Sequence, residues 1–580
     1  MCDRTMYSVL EETARQHADA IALHQPIGNG KYRTYTWADY HRAAKEIACG
    51  LRAMGVGKGD TVALHSETRA EFYLADLGVI SNGSIAAALY TTYPFADQVK
   101  NIKASKARAV IAEDAKTMQA LLSADGGDAL ANLHWVVLAG ESDSALTLDG
   151  LRTKGRRALE EDEHAFENIR EDIRAADPAI LYLTSGATGE PKMGLVTHAA
   201  LTSNVDMGPQ ILALGPHDCT IAFLPSAHIA QRVVIELLPI RMAVPVWFSE
   251  SLGKLPNEMK TVRPTFLLAP PRVWERIFAS INTEIKKKSA AARKLFEGAL
   301  GLGAEVSRLR EEGEPAPKTM LALLKVADWL IFSKIRARLG GRIRLAASGA
   351  APLGKDLARF YAAIGLPLIE GYGLTEGGVV CLNPPDRPKS GSIGVKLPGV
   401  ELKLAEDGEL LVKGPTLFSG YYSDPEATAA VLRDGWLYTG DIAEIDPEGY
   451  VYITGRKKEL IVSSNGKKIY PARIEMLFKM EPAINQVVLI GDRLPYVTAL
   501  VTVNTAGGTM ATEAEVKQAV ARVNRKLAPF EQIRRFRILE RDFSIESGEL
   551  TPTMKVRRNR VLENHRALVS ELYLGKEESQ

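Results

Sequence analysis

The spacing of apolar residues over the first quarter of the chain alternates between a helical period and short continuous runs. Apolar side chains recur at helical spacing in residues 7–17, 37–51 and 70–80. Short apolar runs bounded by turn residues indicate buried strands at residues 62–64, 85–89, 109–112 and 135–138. Because buried strands that alternate with helices pack as a parallel sheet covered by helices, this region predicts an α/β domain.

A polar loop separates the next two strand-like runs, residues 180–183 and 195–196. Its sequence, TSGATGEPK, combines glycines, hydroxyls and one cation, which together can bind phosphate groups. The candidate donors are the backbone beside Gly186 and Gly189, the hydroxyls of Thr184, Ser185 and Thr188, and the ammonium of Lys192. The loop suits a triphosphate, although composition alone leaves an ordinary turn open. It is not a P-loop, because Pro191 precedes the lysine and Met193 follows it.

Two further small-residue turns follow predicted strands. Residues 342–348 lead into GAAP at 349–352, and residues 366–369 lead into EGYGLTE at 370–376. In open α/β sheets ligands bind beyond the carboxyl ends of the strands, so these turns and the polar loop predict one shared crevice. Glu376 stands where a dinucleotide fingerprint requires its third glycine, and a carboxylate at this place suits magnesium instead.

His228 follows another predicted strand, residues 220–224. A lone histidine at a strand end is more often structural than catalytic, and no clustered His/Cys set suggests a transition metal. We therefore assign His228 no proton chemistry.

Residues 281–339 have a helical pattern and are rich in lysine and arginine. Residues 320–339 allow two interpretations. In one, an interfacial helix turns Leu324, Trp329 and Ile331 toward lipid, and its cations Lys325, Lys334 and Arg336 reach toward the headgroups. In the other, which we favour, an ordinary amphipathic helix packs on the domain.

From Gly399 the pattern changes to short strands and turns. Asp441 follows a glycine there, and it is either a turn-forming aspartate or an acceptor for a pair of ribose hydroxyls. Beyond residue 457 the pattern predicts a small α+β domain that ends with Lys555 on a turn marked by proline and glycine. We expect two domains, residues 1–457 and 458–580.

Composition narrows the class of protein without naming a function. The 580 residues exceed what one core holds, and the 46% hydrophobic and 24% charged composition is that of a globular protein. A net charge of +2 gives no reason to expect a nucleic-acid partner. The four cysteines lie far apart, which argues against a zinc ribbon or a disulfide framework. With no apolar leader and no apolar run of about 18 residues, we expect a cytoplasmic protein.

The ordered blocks TSGATGEPK, LPSAHIAQR, SGAAPL, EGYGLTE, YTGD, GRKKELI and ELTPTMK resemble the adenylate-forming superfamily of acyl-CoA synthetases, luciferases and nonribosomal-peptide adenylation domains. The resemblance covers nearly the whole chain. It is greatest to the long-chain fatty acyl-CoA synthetases, because the helical segment runs into RLGGRIRLAASGAAPL and the chain ends in GELTPTMKVRRNRV.

The resemblance implies a role for each matching residue. The residues that bind the ATP phosphates would be Thr184, Ser185, Gly186, Ala187, Thr188, Gly189 and Lys192. The residues that form the adenine wall would be Gly349, Ala350, Ala351, Gly371, Tyr372 and Gly373. Thr375 contacts phosphate, Glu376 with Thr184 holds Mg²⁺, and Asp441 and Arg456 take the ribose hydroxyls. Lys458 is the hinge, Lys555 the adenylation lysine, and His228 a wall of the acyl pocket. Catalysis falls to Lys555, Glu376, Thr184 and Lys192.

The implied reaction uses ATP, Mg²⁺ and CoA to convert a medium- to long-chain fatty acid into an acyl-AMP and then an acyl-CoA. Two alternatives keep the first step: a fatty acyl-AMP ligase that loads an acyl carrier protein, and an aryl or short-chain acid ligase. A third is a nucleotide-binding regulatory protein with a degenerate site. Peripheral membrane contact and the oligomeric state stay open.

Three positions depart from the family pattern. The usual loop is closer to TSGTTG-x-PKG, so Ala187 removes a hydroxyl and Met193 replaces a glycine. Asn465 stands where relatives often carry a glycine, and asparagine tolerates the left-handed conformation that such a turn needs.

Overall fold

The computed structural model describes residues 3–127, 129–184, 192–504, 510–551 and 554–574. The predicted phosphate-loop residues Ser185, Gly186, Ala187, Thr188 and Gly189 lie outside this part of the chain. The fold is mixed α/β, with a large N-terminal domain and a smaller C-terminal domain, as the pattern predicted.

The largest sheet has eight strands and contains the four strands predicted from the first quarter of the chain. In spatial order its strands are Gly420–Tyr421, Lys192–Thr197, Pro178–Thr184, Ile85–Ala88, Thr61–His65, Ala107–Ala112, His134–Val137 and Leu146–Thr147. The last six run parallel to one another, whereas the first three pair antiparallel. The polar loop therefore connects two adjacent antiparallel strands, which the apolar runs on either side of it had indicated.

Two more sheets complete the α/β part of the large domain. One has the order Thr220–Ala222, Val246–Phe248, Ile21–Pro26 and Tyr32–Thr36. The other has the order Phe266–Ala269, Leu345–Ser348, Leu368–Leu374, Gly378–Leu382 and Val395–Lys396. A continuous apolar cluster joins these sheets to the eight-stranded sheet.

The segment EGYGLTE is part strand and part turn, so our prediction of a turn directly after residue 369 was wrong. The strand Leu368–Leu374 continues through Gly371, Tyr372 and Gly373 because it pairs antiparallel with Gly378–Leu382. Residues 375–377 form the tight connection. A hairpin here, where a dinucleotide fold would place a helix, agrees with the missing third glycine.

An antiparallel sheet follows, with strands Glu401–Leu404, Glu409–Lys413, Trp436–Ile445, Leu432–Arg433 and Val451–Arg456. Asp441 lies inside the long strand Trp436–Ile445 opposite Arg456, so it is not a turn residue. The left-handed conformation falls on Gly440, with φ 72°, and this bends the strand immediately before the aspartate.

The helices cover the sheets of the large domain. The α-helices are Met6–His17, Trp37–Ala53, Ala70–Ser81, Phe95–Ala104, Ala115–Ala124, Leu148–Glu161, Ala165–Asp172, His198–Ile211, Leu238–Met242, Leu255–Val262, Pro271–Lys286, Ala290–Glu311, Lys318–Ala327, Ser333–Ala337, Lys355–Ala363 and Pro425–Val431. Two π-helical segments, Gln231–Leu237 and Asp328–Phe332, run directly into α-helices. Among the described residues, no helix is both long and apolar enough to cross a membrane.

The small domain has its own apolar core. Its strands are Ile461–Val462 with Lys468–Ile469, and Ile484–Ile490, Val497–Val503 and Ile533–Ile538. Its α-helices are Pro471–Leu477, Glu513–Asn524, Arg558–Asn564 and Arg566–Tyr573. The predicted α+β pattern is confirmed, except that the final helix is broken into two.

Candidate active site

The two ends of the polar loop lie beside a tyrosine that the sequence did not single out. Thr184 and Lys192 are the last pair of the antiparallel ladder, and the strand Gly420–Tyr421 pairs with the strand that begins at Lys192. The Lys192 ammonium lies 4.7 Å from the centre of the Tyr421 ring. The Tyr421 hydroxyl donates a hydrogen bond of 2.6 Å to Glu376 Oε1. Tyr421 thus connects the predicted phosphate lysine to the predicted metal carboxylate.

The strand after the loop also approaches Thr375. A Cβ added at Gly194 would lie 3.0 Å from Thr375 Cγ2, a tight contact, so glycine lets the two segments approach. Thr375 and Glu376 therefore lie beside the strand Lys192–Thr197 and the strand Gly420–Tyr421, next to Gly194 and Tyr421.

The predicted adenine wall is formed by two neighbouring strand ends. Gly349 faces Gly371, since a Cβ at Gly349 would lie 3.6 Å from the Gly371 carbonyl oxygen. Ala350 has φ 69°, a left-handed conformation that costs a residue with a Cβ about 1 kcal/mol. Strain of this kind clusters at ligand sites, where the surrounding structure maintains it.

The buried carboxylate of Glu370 anchors the turn that follows Gly349 and Ala350. Glu370 is 6% exposed, and its Oε1 accepts a hydrogen bond of 2.9 Å from the Leu353 backbone N–H. Burial raises the pKa of Glu370 to about 7, against an ordinary value of 4.5. No sequence pattern indicates this role, because a carboxylate directly after an apolar run is typical of the exposed end of a strand.

We predict that Glu370→Gln reduces the pH dependence of stability. The raised pKa means that the folded state holds this proton more tightly than the unfolded state does. The stability that the Glu370 proton contributes is therefore fully present below about pH 4.5, and it is lost as pH rises through about 7. Between about pH 5 and 8 the wild type should lose roughly 1–3 kcal/mol relative to the glutamine variant. Thermal unfolding across this range measures the difference; a difference that stays constant with pH contradicts the assignment.

A second polar network surrounds the buried carboxylate of Asp441. Asp441 is 3% exposed, and its Oδ2 accepts a 2.6 Å hydrogen bond from the Tyr372 hydroxyl. Arg456 Nε lies 2.9 Å from Asp441 Oδ1, across the same pair of strands. Coulombic attraction to Asp441 raises the pKa of Arg456, and burial with the nearby carboxylate raises that of Tyr372. The three predicted nucleotide residues therefore form one charged and hydrogen-bonded unit.

Lys555 of the small domain reaches this same cleft. An isolated pairing of Leu550 with Val556 closes its turn, and the Lys555 N–H donates 3.0 Å to Thr551 Oγ1. Its side chain is open to the water of the cleft. Desolvation by the surrounding protein, together with Arg456, lowers its pKa to about 8, against the attraction of Asp441 and Glu376. An anionic nucleotide in the cleft should raise the pKa again.

An apolar cavity opens from the adenine wall. Together with its mouth it encloses about 900 Å³. Its lining is mostly aliphatic and includes Met207, Ile211, Val234, Leu238, Phe266, Leu268 and Leu345, and it also includes Gly349, Ala350, Gly371, Tyr372 and Gly373. One cavity therefore adjoins both the predicted nucleotide wall and the interior of the large domain.

His228 also lines this cavity. Its Nδ1 accepts a hydrogen bond of 3.1 Å from the Ala230 N–H, and burial lowers its pKa to about 3, with the Lys555 charge acting in the same direction. A neutral ring held by its own turn is consistent with a wall residue that carries no proton chemistry.

The residues around Lys458 divide the two domains. Lys457 Nζ is paired with Asp407 at 2.5 Å and Glu409 at 2.9 Å, which ties it to the large domain. The next residue, Lys458, is exposed, and Ile461 already belongs to the core of the small domain. The chain therefore passes from contacts with the large domain at Lys457 to the core of the small domain at Ile461 within four residues. A short, exposed connection of this kind is consistent with the predicted hinge at Lys458.

The structure explains two of the three departures from the family pattern. Met193 lies in the strand Lys192–Thr197 and packs against two apolar clusters, so this position needs no glycine. In the other turn, Gly466 takes the left-handed conformation, with φ 78°, and Asn465 does not, contrary to our expectation. Ala187 lies outside the described residues.

The donor set fits magnesium bound together with phosphates. Within the described residues, no three His, Cys, Asp or Glu side chains are grouped closely enough to hold a metal ion by themselves. Mg²⁺ is usually held by one or two carboxylates, substrate phosphates and water, and Glu376 supplies one such carboxylate beside the polar loop.

The chain resembles known proteins in both sequence and fold. Residues 10–422 match the family described as AMP-binding enzyme, and residues 458–577 match the AMP-binding enzyme C-terminal domain. The chain is 34% identical to the long-chain-fatty-acid–CoA ligase FadD15 of Mycobacterium tuberculosis, over 97% of this chain and 96% of the relative. It is 28% identical to the human long-chain-fatty-acid–CoA ligase ACSBG1, over 98% and 85%.

Solved structures share the fold. Anthranilate CoA ligase AuaEII in complex with anthranoyl-AMP superposes with a TM-score of 0.75 at 19% identity, covering 98% of this chain and 99% of that one. Bacillus subtilis O-succinylbenzoate CoA synthetase MenE, in complex with ATP and magnesium ion, gives 0.68 at 20% identity, over 96% and 99%. At these identities the structural likeness establishes the architecture alone. On the family match over most of its length and the FadD15 relatives, the chain belongs to the AMP-binding enzyme family.

Proposed function

We propose that the protein is an AMP-forming acyl-CoA ligase that activates a medium- to long-chain fatty acid. The observation that carries the proposal is the apolar cavity whose wall includes Gly349, Ala350 and Tyr372 of the predicted nucleotide site. An acyl chain in this cavity would present its carboxylate where Lys555, Asp441 and Glu376 converge. The relatives named long-chain-fatty-acid–CoA ligases support the same substrate class.

The cavity favours an alkyl chain over a small polar acid. Its lining is mostly aliphatic, which suits a hydrocarbon chain better than a charged or hydrogen-bonding group. Each methylene that enters it contributes up to about 0.8 kcal/mol, so affinity should increase with chain length until the cavity is full.

In the first half-reaction, a carboxylate oxygen of the acid attacks the α-phosphorus of ATP. The new P–O bond forms as the bond to pyrophosphate breaks, which yields acyl-AMP and pyrophosphate. Two anions must approach each other, and the Lys555 ammonium is placed to offset the charge that accumulates between them. Asp441 would accept the ribose hydroxyls, while Glu376 and Thr184 would hold Mg²⁺, which neutralises phosphate charge when bound.

In the second half-reaction, the CoA thiol attacks the acyl carbonyl carbon, AMP leaves, and the thiol proton passes to solvent. Lys555 occupies the cleft in the orientation described above, so a rotation at Lys458 would have to withdraw it before the thiol enters. The sequence block GRKKELI carries this hinge.

We predict that Lys458→Pro slows thioester formation more than adenylation. Lys458 lies in the first turn of the short 3₁₀ helix Lys457–Glu459, where proline is tolerated, and proline fixes φ at its own position, so rotation should be impaired more than the present orientation. Pyrophosphate exchange measures the first half-reaction, and CoA added to synthetic acyl-AMP measures the second. Glu513→Pro, at the first position of the small-domain helix Glu513–Asn524, is a control for proline itself, because proline is well accepted at that helical position. Equal slowing of both half-reactions by Lys458→Pro contradicts a hinge at this position.

The test of the function is ATP-to-AMP turnover on a panel of fatty acids of graded length and aryl acids, with and without CoA. We expect turnover to peak with medium- to long-chain acids and the thioester to form only with CoA. Product that stalls at acyl-AMP until a phosphopantetheinylated carrier protein is added assigns the carrier-loading alternative. A peak with aryl or acetic acids assigns the aryl or short-chain alternative, and ATP binding without acid-dependent turnover assigns the regulatory one.

We further propose that the protein contacts anionic membranes through one helical face. The helix Lys318–Ala327 and the segment that continues it leave a stripe of apolar side chains in water, with Leu323 60% and Trp329 74% exposed. Val326 and Leu330 extend this stripe.

The opposite face of this segment packs against the large domain. Leu324 and Ile331, which the interfacial interpretation turned toward lipid, pack against the helical cluster of the large domain, as does Ile335. Arg336 is paired with Asp328 at 2.5 Å instead of reaching toward headgroups. Lys318, Lys325 and Lys334 are exposed along the segment, and lysine beside an apolar stripe suits an anionic lipid surface.

Sedimentation with phosphatidylcholine vesicles, with and without phosphatidylglycerol, tests the membrane contact. We expect the wild type to sediment with the anionic vesicles and the double variant Leu323→Ser/Trp329→Ser to remain in solution. Leu252→Ser is the matched control, because Leu252 is an equally exposed leucine, at 63%, outside the stripe. Equal sedimentation of wild type and double variant contradicts the contact.

A further inference from the structure

A short helical turn of the small domain, Phe478–Met480, bridges the two domains beside the adenine wall. Phe478 is buried in the core of the small domain, whereas Met480 packs against the helical cluster of the large domain. The residue between them, Lys479, points into the large domain and makes two polar contacts there.

One contact of Lys479 lies at the predicted nucleotide turn, and the other is an ion pair that is largely removed from water. Its Nζ donates a hydrogen bond of 2.7 Å to the Pro352 carbonyl oxygen and lies 2.9 Å from Glu275 Oε1. The side chains of Lys479 and Glu275 are 24% and 13% exposed, respectively. An ion pair at this depth is screened less than a surface pair.

Glu275 is held from two sides. Arg272, one turn earlier on the helix Pro271–Lys286, places Nη1 3.2 Å from Glu275 Oε2 and donates 3.1 Å to the Asn485 carbonyl oxygen of the small domain. Burial opposes ionisation of Glu275, but Lys479 and Arg272 together lower its pKa below the ordinary value. Two cations, one from each domain, therefore meet on one carboxylate.

We propose that Lys479 is a positioning residue for adenylation, which holds the domain orientation that brings Lys555 into the cleft and fixes the adenine wall through the Pro352 carbonyl. This inference rests on the proposed function, because it assigns Lys479 to one of its two half-reactions.

The adenine wall needs such support. Pro352 directly follows the turn that contains the left-handed Ala350, and the next residue, Leu353, is bonded to Glu370. Lys479 holds this turn from the small domain and Glu370 holds it from the large one. When the small domain rotates at Lys458, Lys479 leaves with it, so the wall loses one of its two supports as the thiol step begins.

The test compares Lys479→Met in the two half-reactions. Methionine keeps an unbranched apolar stem and removes the charge and the donor. We expect acid-dependent pyrophosphate exchange to fall about tenfold with a raised KM for ATP, because breaking a largely buried pair leaves its partner unsatisfied. Thioester formation from synthetic acyl-AMP and CoA should stay within about twofold of wild type, since Lys479 has left its site by then. Lys479→Arg, which keeps the charge, should recover part of the exchange rate.

Lys526→Met is the matched control. Lys526 is also a lysine of the small domain paired with the large domain, but its 3.9 Å contact with Asp356 is exposed and should contribute little. A parallel fall in both half-reactions, or no fall in either, overturns the proposal. If the wild type shows no acid-dependent exchange, the proposed function fails instead. The distance between spin labels on the two domains then decides the positional claim, and a distribution unchanged by Lys479→Met overturns it.

Discussion

Lys555→Ala should lower the rate of acid-dependent pyrophosphate exchange by about a hundred- to a thousandfold, the cost of removing one preorganised group that stabilises developing charge. Lys555 lies on a small-domain turn closed by a backbone pairing, close enough to Asp441 and Glu376 to be attracted by both carboxylates. The exchange assay measures the effect, and an unchanged unfolding temperature verifies that the fold is intact. Exchange that continues at the wild-type rate would remove Lys555 from the chemistry.

The pH dependence of this lysine gives a second measurement. With a pKa of about 8 in the free protein, Lys555 loses its charge as pH rises through that value, so kcat/KM should decline above about pH 8. Lys555→Arg keeps a cation at every accessible pH, and its profile should therefore lose this decline, even at a lower rate. The same alkaline decline in both proteins would assign it to another group.

Asp441→Ala should lower kcat/KM for ATP by roughly 10- to 140-fold for each hydrogen bond to the ribose that is lost. The substitution removes the acceptor of the Tyr372 hydroxyl and the partner of Arg456, together with the proposed acceptor of the ribose hydroxyls. Hydrogen bonds to a charged group contribute about 1.5–3 kcal/mol each, and every 1.4 kcal/mol is tenfold. Steady-state kinetics with ATP as the varied substrate measures the loss.

Asp441→Asn separates the two parts of this effect. The amide keeps an acceptor for Tyr372 but lacks the charge that pairs with Arg456, so its kcat/KM should lie between wild type and Asp441→Ala. Asp446→Ala is the matched control, because Asp446 directly follows the same strand and pairs with Lys389 at 2.9 Å, away from Asp441 and from the hinge. If Asp441→Ala and Asp446→Ala have the same small effect, Asp441 is a structural residue.

Local patterns were sufficient to predict much of the fold. The strands Thr61–His65 and Ala107–Ala112 are buried on both faces, and such strands produce continuous apolar runs that are visible in the sequence. Strand continuation was harder to predict. Gly371 to Gly373 extend a strand because a partner strand pairs with them, and glycine carries no side-chain pattern that reveals this pairing.

Residues that act through distant partners were missed for the same reason. Tyr421 connects Lys192 with Glu376, and Lys479 meets Glu275, but each pair joins segments far apart in the chain. A tyrosine or a lysine is common on surfaces, so neither residue type signals its role. The one available signal for Tyr421 was the sequence FSGYY, a small-residue turn followed by aromatic residues at a sheet edge.

The helical segment after residue 281 shows a different limit. Its apolar pattern predicted an amphipathic helix correctly, but the π-helical segment Asp328–Phe332 shifts the faces relative to an ideal helix. Leu324 and Ile331 consequently pack inward, and Leu323 and Trp329 face water. Periodicity predicted the helix, and only the packing identified the exposed face.

The most direct test of the proposed function is calorimetric binding of non-reactive acyl-sulfamoyl adenosines that carry acetyl, octanoyl or myristoyl chains. If the nucleotide cleft and the apolar cavity form one site, affinity should increase with chain length. The six additional methylenes of the octanoyl chain contribute up to about 0.8 kcal/mol each, so the octanoyl compound should bind up to about three-thousandfold more tightly than the acetyl one. Equal affinities for the three compounds would contradict a fatty acid as the substrate.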